Sequence, residues 1–277
     1  MLNVDFLKEN GVDIDKSLEL FGDMQTYNDT VGEFLLGIAQ KIPKLEEYKN
    51  AKDMNNYAIY VHSLKSDAKY FGFTKLAELA YNQEMKSKAG DVYYIYDTYD
   101  ELMKEVNRLT HVVKQYLGKE EVENPSSNRN EAELLEEQPS MISLGEVYEE
   151  PTILVADDSN IVRNFVSRIF SNTYKVGIAK DGKEALEIIK ANQGNNNIKT
   201  ILLDLNMPNV DGFAVLDYMK QNQLFTEMPV SIISGDSSKE TIDKAFKYQI
   251  VDMIKKPFND IDIKRVVEKT IYFKDLN

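Results

Sequence analysis

The hydrophobic pattern divides the chain into two dissimilar halves. In the first half, apolar residues recur every three or four positions, which predicts four amphipathic helices. These stretches cover residues 17–42, 54–71, 76–85 and 93–117. Pro43 is expected to end the first helix, while residues 50–53, Thr74 and Gly90-Asp91 provide caps or breaks for the others. Four such helices with short connections predict an antiparallel, all-α four-helix bundle.

The second half alternates short apolar runs with helical patterns. Strands are predicted at PTILVADD, YKVGIAKD, IKTILLDLNMP, MPVSIISG and VDMIKKP, and a helix follows each of them. This alternation predicts an α/β domain with a doubly wound, five-stranded parallel sheet. In such a sheet, functional groups lie just past the carboxyl ends of the strands.

An acidic, polar segment separates the two halves. Residues 118–150 are rich in Glu, Asn and Ser and include two prolines and only two basic residues. They offer too little apolar surface to offset the entropy of ordering. We therefore predict a bundle over residues 1–118, a flexible acidic linker over 119–150 and an α/β domain over 151–277, with one helical turn near 132–137 in the linker.

Composition narrows the functional classes. The 277 residues are 43% hydrophobic, enough for two packed cores, and the net charge of −13 argues against general binding to nucleic acid or anionic membranes. The absence of cysteine excludes disulfides and thiolate sites. The start, MLNVDFLKEN, lacks a secretion-signal pattern, and the chain has no apolar run of about 18 residues. We therefore expect a cytoplasmic protein with no membrane insertion.

Charged and polar residues follow the predicted strands in order. Asp157 and Asp158 end the first strand, Asp204 ends the third, and Ser234 and Lys256 end the fourth and fifth. Carboxylates held close together repel each other unless a cation balances them, and Mg²⁺ is a hard cation that suits such ligands. A metal, a lysine and a hydroxyl together suit a phosphoryl group, and one carboxylate could act as a nucleophile toward phosphorus.

Residues 151–275 resemble a receiver domain of a two-component response regulator. The resemblance rests on ILVADDSN, AKDGKEAL, LLDLNMPNVDGF, SGDS and KKPF. It implies a flavodoxin-like fold in which Asp204 is phosphorylated, Lys256 binds the phosphoryl group and Ser234 moves toward it. It also implies a Mg²⁺ site, whose ligands would be Asp157, Asp158, Asp204 and the backbone carbonyl of Asn206.

Two details of the receiver resemblance concern the fifth strand. The Lys256–Pro257 bond is expected to be cis. Met253 stands three residues before the lysine, where the family usually has Tyr or Phe. We therefore expect the aromatic movement that accompanies the hydroxyl in this family to be weakened or absent, although an unbranched Met can still repack a gap.

His62 is one of only two histidines and lies on the second predicted helix, in VHSLKSDAKYFGF. We expect it beside the core stripe with an exposed ring, because its neighbours one and two turns on are small or cationic: Lys65, Ser66 and Lys69. An exposed imidazole is a nucleophile toward phosphorus, and the lysines would support a phosphoryl group on it. The alternative interpretation is a half-exposed histidine with no chemical role.

Residues 5–117 resemble a histidine phosphotransfer domain. The motif is a histidine followed by Leu, Lys, a small residue and a Gly, here His62, Leu64, Lys65, Ser66 and Gly72. The segments GVDIDKSLELFGD and FTKLAELAYNQE resemble the first and third helices of that family. Ser66 replaces the more usual Gly. The resemblance implies that His62 carries a phosphoryl group.

The two resemblances together predict a phosphorelay protein in two-component signal transduction. Phosphoryl groups would pass between His62 and an aspartate, either Asp204 or one in another receiver. The implied partners are a histidine kinase or another phosphorelay protein, and a partner receiver or phosphotransfer domain. The chain shows no Gly-rich nucleotide lid and no basic DNA-reading module, so we expect a phosphotransfer protein rather than a kinase or a transcription factor.

Two alternatives remain open from the sequence. In one, the bundle is a docking or dimerisation module whose histidine is not phosphorylated, and the receiver regulates a protein interaction. In the other, the α/β half is a Mg²⁺-dependent phosphohydrolase. The second carboxylate expected in such an enzyme, two residues after the nucleophile, is replaced by Asn206.

Overall fold

The computed structural model describes residues 4–119, 147–236 and 238–275. Most of the predicted linker, including its proposed helical turn at 132–137, lies outside the described residues. Tyr148, near the end of the predicted linker, is buried, and its backbone N–H donates to Asn192 Oδ1 at 2.7 Å. The chain is therefore packed onto the α/β domain a few residues before the first strand.

The first half is helical, as predicted, and six helices lie within residues 4–119. Their bounds are α1 Val4–Glu9, α2 Ile14–Phe21, α3 Met24–Ala51, α4 Met54–Tyr70, α5 Thr74–Lys88 and α6 Val92–Tyr116. No helix among the described residues is long and apolar enough to cross a membrane.

The predicted first helix is wrong at both ends. Gly22 adopts a positive φ of 84° and divides the segment into α2 and α3, and the Asp23 side chain caps α3 by accepting from Thr26 N–H at 2.8 Å. Pro43 lies inside α3 instead of ending it. Buried Lys41 and Leu45, on either side of the proline, keep α3 packed, which offsets the lost helical hydrogen bond.

The helix that carries His62 has well-defined ends. Asp53 caps the start of α4, as expected, and its side chain accepts from Asn56 N–H at 3.1 Å. At the other end, Gly72 has a φ of 70°. A Cβ at Gly72 would lie only 2.2 Å from Asp13 O, so only glycine allows this close approach to the chain entering α2. Phe73, instead of the predicted Thr74, stands at the cap of α5.

The second half is a five-stranded, all-parallel sheet flanked by helices, as predicted. In chain order its elements are β1 Thr152–Ala156, α7 Asn160–Phe170, β2 Lys175–Ala179, α8 Gly182–Ala191, β3 Ile198–Asp204, α9 Gly212–Gln221, β4 Val230–Ser234, α10 Lys239–Ala245, β5 Asp252–Lys255 and α11 Asp260–Asp275. The strand order β2-β1-β3-β4-β5 is that of a flavodoxin-like fold. The Lys256–Pro257 bond is cis, as expected.

Two apolar cores lie within the part of the chain that the structure describes. One lies on the face of the sheet covered by α8, α9 and α10. The other begins under α7 and α11 and continues without interruption into the interior of the helical bundle. The bundle therefore packs directly on the α/β domain, and burial of this apolar surface stabilises the contact.

Candidate functional site

An acidic pocket lies at the carboxyl edge of the sheet. Asp157 and Asp158 follow β1, and Asp204 is the last residue of β3. Because β1 and β3 are parallel neighbours, their ends bring the three carboxylates together, and one oxygen of each lies within 4.8 Å of the others. Asp157 and Asp204 are fully buried, whereas Asp158 is partly exposed. The pocket thus concentrates negative charge, and two of its three carboxylates are out of contact with water.

Lys256 balances part of this charge. Its Nζ lies 2.5 Å from Asp157 Oδ2 and 2.6 Å from Asp204 Oδ2. Burial favours the neutral amine, but the charges of the two aspartates outweigh it and raise the pKa of Lys256 above its usual value. Burial raises the pKa of Asp157 to about 7 against the opposing charge of Lys256, and Asp204 and Asp158 contribute to the rise.

The residues of the pocket fit a divalent cation. Three carboxylates face a single ammonium group, so the cluster retains excess negative charge that a Mg²⁺ ion would balance. The donor set consists of oxygen atoms, which Mg²⁺ prefers. The pocket does not support the phosphohydrolase alternative, which needs a second carboxylate at position 206. Asn206 offers no carboxylate, and its backbone N–H donates to Asp204 Oδ1 at 3.2 Å.

Ser234 and Met253 lie near the pocket on β4 and β5. Ser234 is buried at the end of β4, and its Oγ accepts from Asp236 N–H at 3.1 Å. Met253 is partly buried, packs on the apolar core and stands beside Ile232 in the strand register. A sulfur-containing aliphatic side chain thus fills the position where the receiver family usually has an aromatic ring.

His62 is buried, which corrects the expectation of an exposed ring. Only 2% of the residue is accessible, and Lys65 and Ser66 are buried with it. The His62 ring lies against Gly235 of the α/β domain, whereas Lys65 lies against Glu84 of α5. The Nε2 atom of His62 is buried and has no hydrogen-bond partner among the described residues.

Glu84 on α5 holds the other nitrogen of His62. Its Oε1 lies 2.7 Å from Nδ1, and its Oε2 lies 2.6 Å from Lys65 Nζ. Burial of Glu84 favours the protonated acid, but the hydrogen bond from His62 and the charge and hydrogen bond of Lys65 hold its pKa below the usual range. A carboxylate can only accept, so Nδ1 of the neutral ring carries the proton and Nε2 keeps its lone pair.

The predicted support residues of His62 take different positions. Lys65 is bound to Glu84 and is not free beside the ring, although its Nζ lies 3.3 Å from Nδ1. Ser66 is small and buried one turn further on. Lys69 is half-buried, and burial together with the charges of Lys65 and Lys255 lowers its pKa.

Two further residues were not singled out from the sequence. Glu84 lies on the buried face of α5 with Ala77, Ala80 and Ser87, so its signal was an acidic residue in a core position. Asp67 is likewise buried on α4, where it pairs with Lys41 and accepts from Ser159 Oγ at 2.7 Å. A carboxylate in phase with an apolar stripe needs a buried partner, and sequence spacing does not identify that partner.

The fold and the pocket together define a receiver-type α/β domain, and known proteins agree. The family model described as response regulator receiver domain matches residues 153–268. Two-component response regulator ORR3 of Oryza sativa subsp. indica is 31% identical over 123 residues, covering 44% of this chain and 92% of that protein. Probable methanogenesis regulatory protein FilR2 of Methanothrix harundinacea is 29% identical over 122 residues, covering 42% of this chain and 79% of that protein.

A solved structure is also similar. The receiver domain of the Francisella response regulator 1452 is 30% identical, with a TM-score of 0.40, over 46% of this chain and all of that one. On the family match and the curated relatives, the chain belongs to the response regulator receiver family. It carries the receiver domain of a two-component response regulator, a class that interacts with histidine kinases or phosphotransfer proteins and generally binds Mg²⁺ at an acidic pocket.

Proposed function

We propose that the chain is a phosphorelay protein in which Asp204 accepts a phosphoryl group and His62 carries one. The helical bundle would then act as a histidine phosphotransfer module attached to the receiver. The observation that carries the proposal is the state of the His62 ring. Glu84 fixes Nδ1, while buried Nε2 has no partner among the described residues and keeps its lone pair.

The aspartyl step uses the acidic pocket. A carboxylate oxygen of Asp204 attacks phosphorus, a P–O bond forms, and the bond to the donor's leaving atom breaks with its electron pair going to that atom. The product is an acyl phosphate. Lys256 neutralises charge on the transferred group. Mg²⁺, held by Asp157, Asp158, Asp204 and the carbonyl of Asn206, would add charge neutralisation and orientation.

The histidyl step uses the free lone pair of Nε2. This nitrogen attacks the phosphorus of the acyl phosphate, a P–N bond forms, and the P–O bond breaks with its electron pair returning to the carboxylate. The Nδ1 proton stays on the ring opposite Glu84, whose negative charge stabilises the cationic imidazole. Transfer from His62 to an aspartate follows the same path in reverse.

Labelling with radioactive acetyl phosphate and Mg²⁺ tests the proposal. The wild-type chain is expected to acquire a base-labile, acid-stable aspartyl label and a base-stable, acid-labile histidyl label. The aspartyl label should disappear in Asp204→Asn, because the nucleophile is lost, and the histidyl label should disappear in both Asp204→Asn and His62→Gln. Chelation of Mg²⁺ is expected to prevent both labels from forming.

His111→Gln is the matched control, because His111 is the other histidine and is exposed on α6. It should keep both labels. Persistence of the histidyl label in His62→Gln would move the acceptor away from His62. A wild-type chain with only the aspartyl label, even when a phosphorylated partner receiver is added, would contradict the histidyl half of the proposal.

A second candidate function is a receiver-regulated interaction protein whose bundle docks without phosphorylation. The continuous core shared by bundle and receiver favours this candidate. The two functions differ in the histidyl label, which docking does not require, and in the effect of His62→Gln, because signalling through the chain survives this change only if docking suffices.

A further inference from the structure

His62 lies in the interface between the bundle and the receiver. We propose that the receiver of the same chain is the partner of His62, so that phosphoryl transfer between His62 and Asp204 is intramolecular. Gly235 is the residue that admits the imidazole ring. This inference rests on the proposed function and adds to it the identity of the partner and a residue that determines specificity.

The absence of a side chain at Gly235 leaves room for the His62 ring. A Cβ at this position would lie 2.7 Å from His62 Nε2 and 3.1 Å from Cε1. Both separations are shorter than van der Waals contact, so any larger residue at position 235 would displace the ring or the loop. The unpartnered nitrogen of His62 therefore points onto the receiver at a place that only glycine leaves open.

Gly235 stands next to the phosphoacceptor. It follows Ser234 at the end of β4, and β4 pairs in parallel with β3, which ends at Asp204. Asp204 is opposite Ile233 in this register, so Gly235 lies two residues further along the neighbouring strand. A regular strand would put the Cα atoms of Asp204 and Gly235 roughly 8 Å apart. His62 Nε2 lies against Gly235 and therefore on the same edge of the sheet as Asp204.

A buried polar chain fixes the position of α4 on the receiver. Asp67 lies on α4 five residues after His62, is 2% exposed and pairs with Lys41 on α3. Its Oδ1 accepts from Ser159 Oγ at 2.7 Å, and Ser159 N–H donates to Asp157 Oδ1 at 2.9 Å. The chain of contacts thus leads from the bundle to the acidic pocket. The hydrogen bond between Ser159 and Asp67 therefore fixes where α4 lies on the receiver.

Aromatic side chains from both halves complete the interface. Phe21 and Tyr70 of the bundle meet Phe165 of α7 with ring centroids 5.8 and 6.4 Å apart, and Tyr70 meets Phe258 edge-on at 6.1 Å. All four rings are buried. Aromatic surface of this kind is unfavourable in water, so the bundle and receiver favour contact with each other.

Docking also controls access to the reacting groups. Asp204 is fully buried and His62 is 2% exposed in this arrangement. A second protein reaches neither group while the bundle is docked. Within the docked chain, the P–N bond at Nε2 forms as the P–O bond at Asp204 breaks, or the reverse, and Nδ1 keeps its proton throughout.

The first test compares transfer within one chain and between chains. Wild-type protein is compared with an equimolar mixture of the Asp204→Asn and His62→Gln chains, in which His62 must be labelled from another molecule. At about 1 µM protein the wild-type rate of histidyl labelling should exceed the mixed-pair rate by roughly 100-fold or more, because tethering gives an effective concentration near 1 mM. The wild-type rate should not change with protein concentration.

The second test uses Gly235→Ala with Gly32→Ala as its matched control. A Cβ at Gly32 would meet nothing closer than 3.9 Å, so this variant should behave as wild type. In Gly235→Ala the ratio of histidyl to aspartyl label should fall by at least roughly tenfold, because displacement of the ring by about 1 Å misaligns the reacting atoms. The unphosphorylated protein gives a second readout, since the imidazole NMR signal of His62 should shift while that of His111 stays in place.

The possible results separate the inference from the proposed function. A mixed pair that labels as fast as wild type, or a wild-type rate proportional to concentration, would overturn intramolecular transfer and leave the relay intact. An unchanged His62 signal in Gly235→Ala would overturn the docking geometry. A shifted signal with no histidyl label in any chain would refute the proposed function and, with it, transfer between these two groups.

Discussion

Replacing Lys256 by Met is expected to slow aspartyl labelling by roughly 100-fold or more, because the cation that neutralises the transferred group is lost. Stability should also fall, by about 3–5 kcal/mol, since Asp157 and Asp204 remain buried without their partner. Labelling with acetyl phosphate and unfolding in urea measure the two effects. Added Mg²⁺ should restore part of the stability, because a divalent cation replaces the missing positive charge.

Lys274→Met is a matched control for this change. Lys274 lies on α11 and its Nζ donates to three backbone carbonyls, those of Asn196, Ile198 and Glu227, away from the acidic pocket. Removing it should reduce stability but leave the labelling rate per folded molecule unchanged. Equal labelling rates in Lys256→Met and wild type would show that charge neutralisation by this lysine contributes little to the aspartyl step.

The receiver half was predictable because each signal is local. A fully buried parallel strand appears as a short apolar run, and its functional residue follows directly in the sequence, as Asp204 follows the run that forms β3. The parallel sheet then assembles these residues at one edge without further information. The predicted sheet and the close approach of Asp157, Asp158 and Asp204 therefore agree with the structure.

The helical half was predictable in class but not in its breaks. Amphipathic periodicity continues through Gly22, and Pro43 is a strong stop signal, yet the structure breaks at the first and continues through the second. The break at Gly22 is local, since Gly22 takes a positive φ and Asp23 caps α3, whereas tertiary packing decides at Pro43. Lys41 finds a buried partner in Asp67, and Leu45 enters the core, so the helix remains folded past the proline.

The environment of His62 was the part that sequence spacing could not provide. Helical periodicity gives the face on which a residue lies, but it does not reveal that a second domain covers that face. Lys65 and Ser66 resemble surface residues in the pattern and are buried, with Lys65 bound to Glu84 of α5. Glu84 and Gly235 lie 22 and 173 positions after His62, and only the tertiary fold brings them to its ring.

Replacing Glu84 by Gln is expected to lower histidyl labelling by about 10- to 100-fold. The neutral amide can still accept from Nδ1, but it no longer supplies the negative charge that stabilises the phosphorylated, cationic ring. Because Glu84 acts through His62, it is a positioning residue. The ¹⁵N NMR signals of the His62 ring should report a less uniform tautomer, with His111 as internal reference, whereas aspartyl labelling should remain at the wild-type level.

Glu105→Gln distinguishes this role from a purely structural one. Glu105 is as buried as Glu84 and binds Arg108 through two hydrogen bonds, but it lies on α6 and makes no contact with His62. Both variants should lose stability. The loss should be about 3–5 kcal/mol in Glu84→Gln, because the buried Lys65 loses its charged partner. Only Glu84→Gln should change the His62 signals. An equal loss of histidyl label in both variants would show that Glu84 contributes to stability only and does not position His62.

The pairing of Glu84 with His62 and Lys65 also predicts how the stability of the protein changes with pH. Folding lowers the pKa of Glu84 below its ordinary value of 4.5, because His62 and Lys65 stabilise its charged form more than burial opposes it. Such a group contributes stability above its unfolded pKa and loses that contribution as the pH falls toward the folded one. The stability difference between wild type and Glu84→Gln should therefore be largest near neutral pH and shrink below pH 4.5. A difference that stayed constant through this range would mean that the charge on Glu84 does not hold His62 and Lys65 in place.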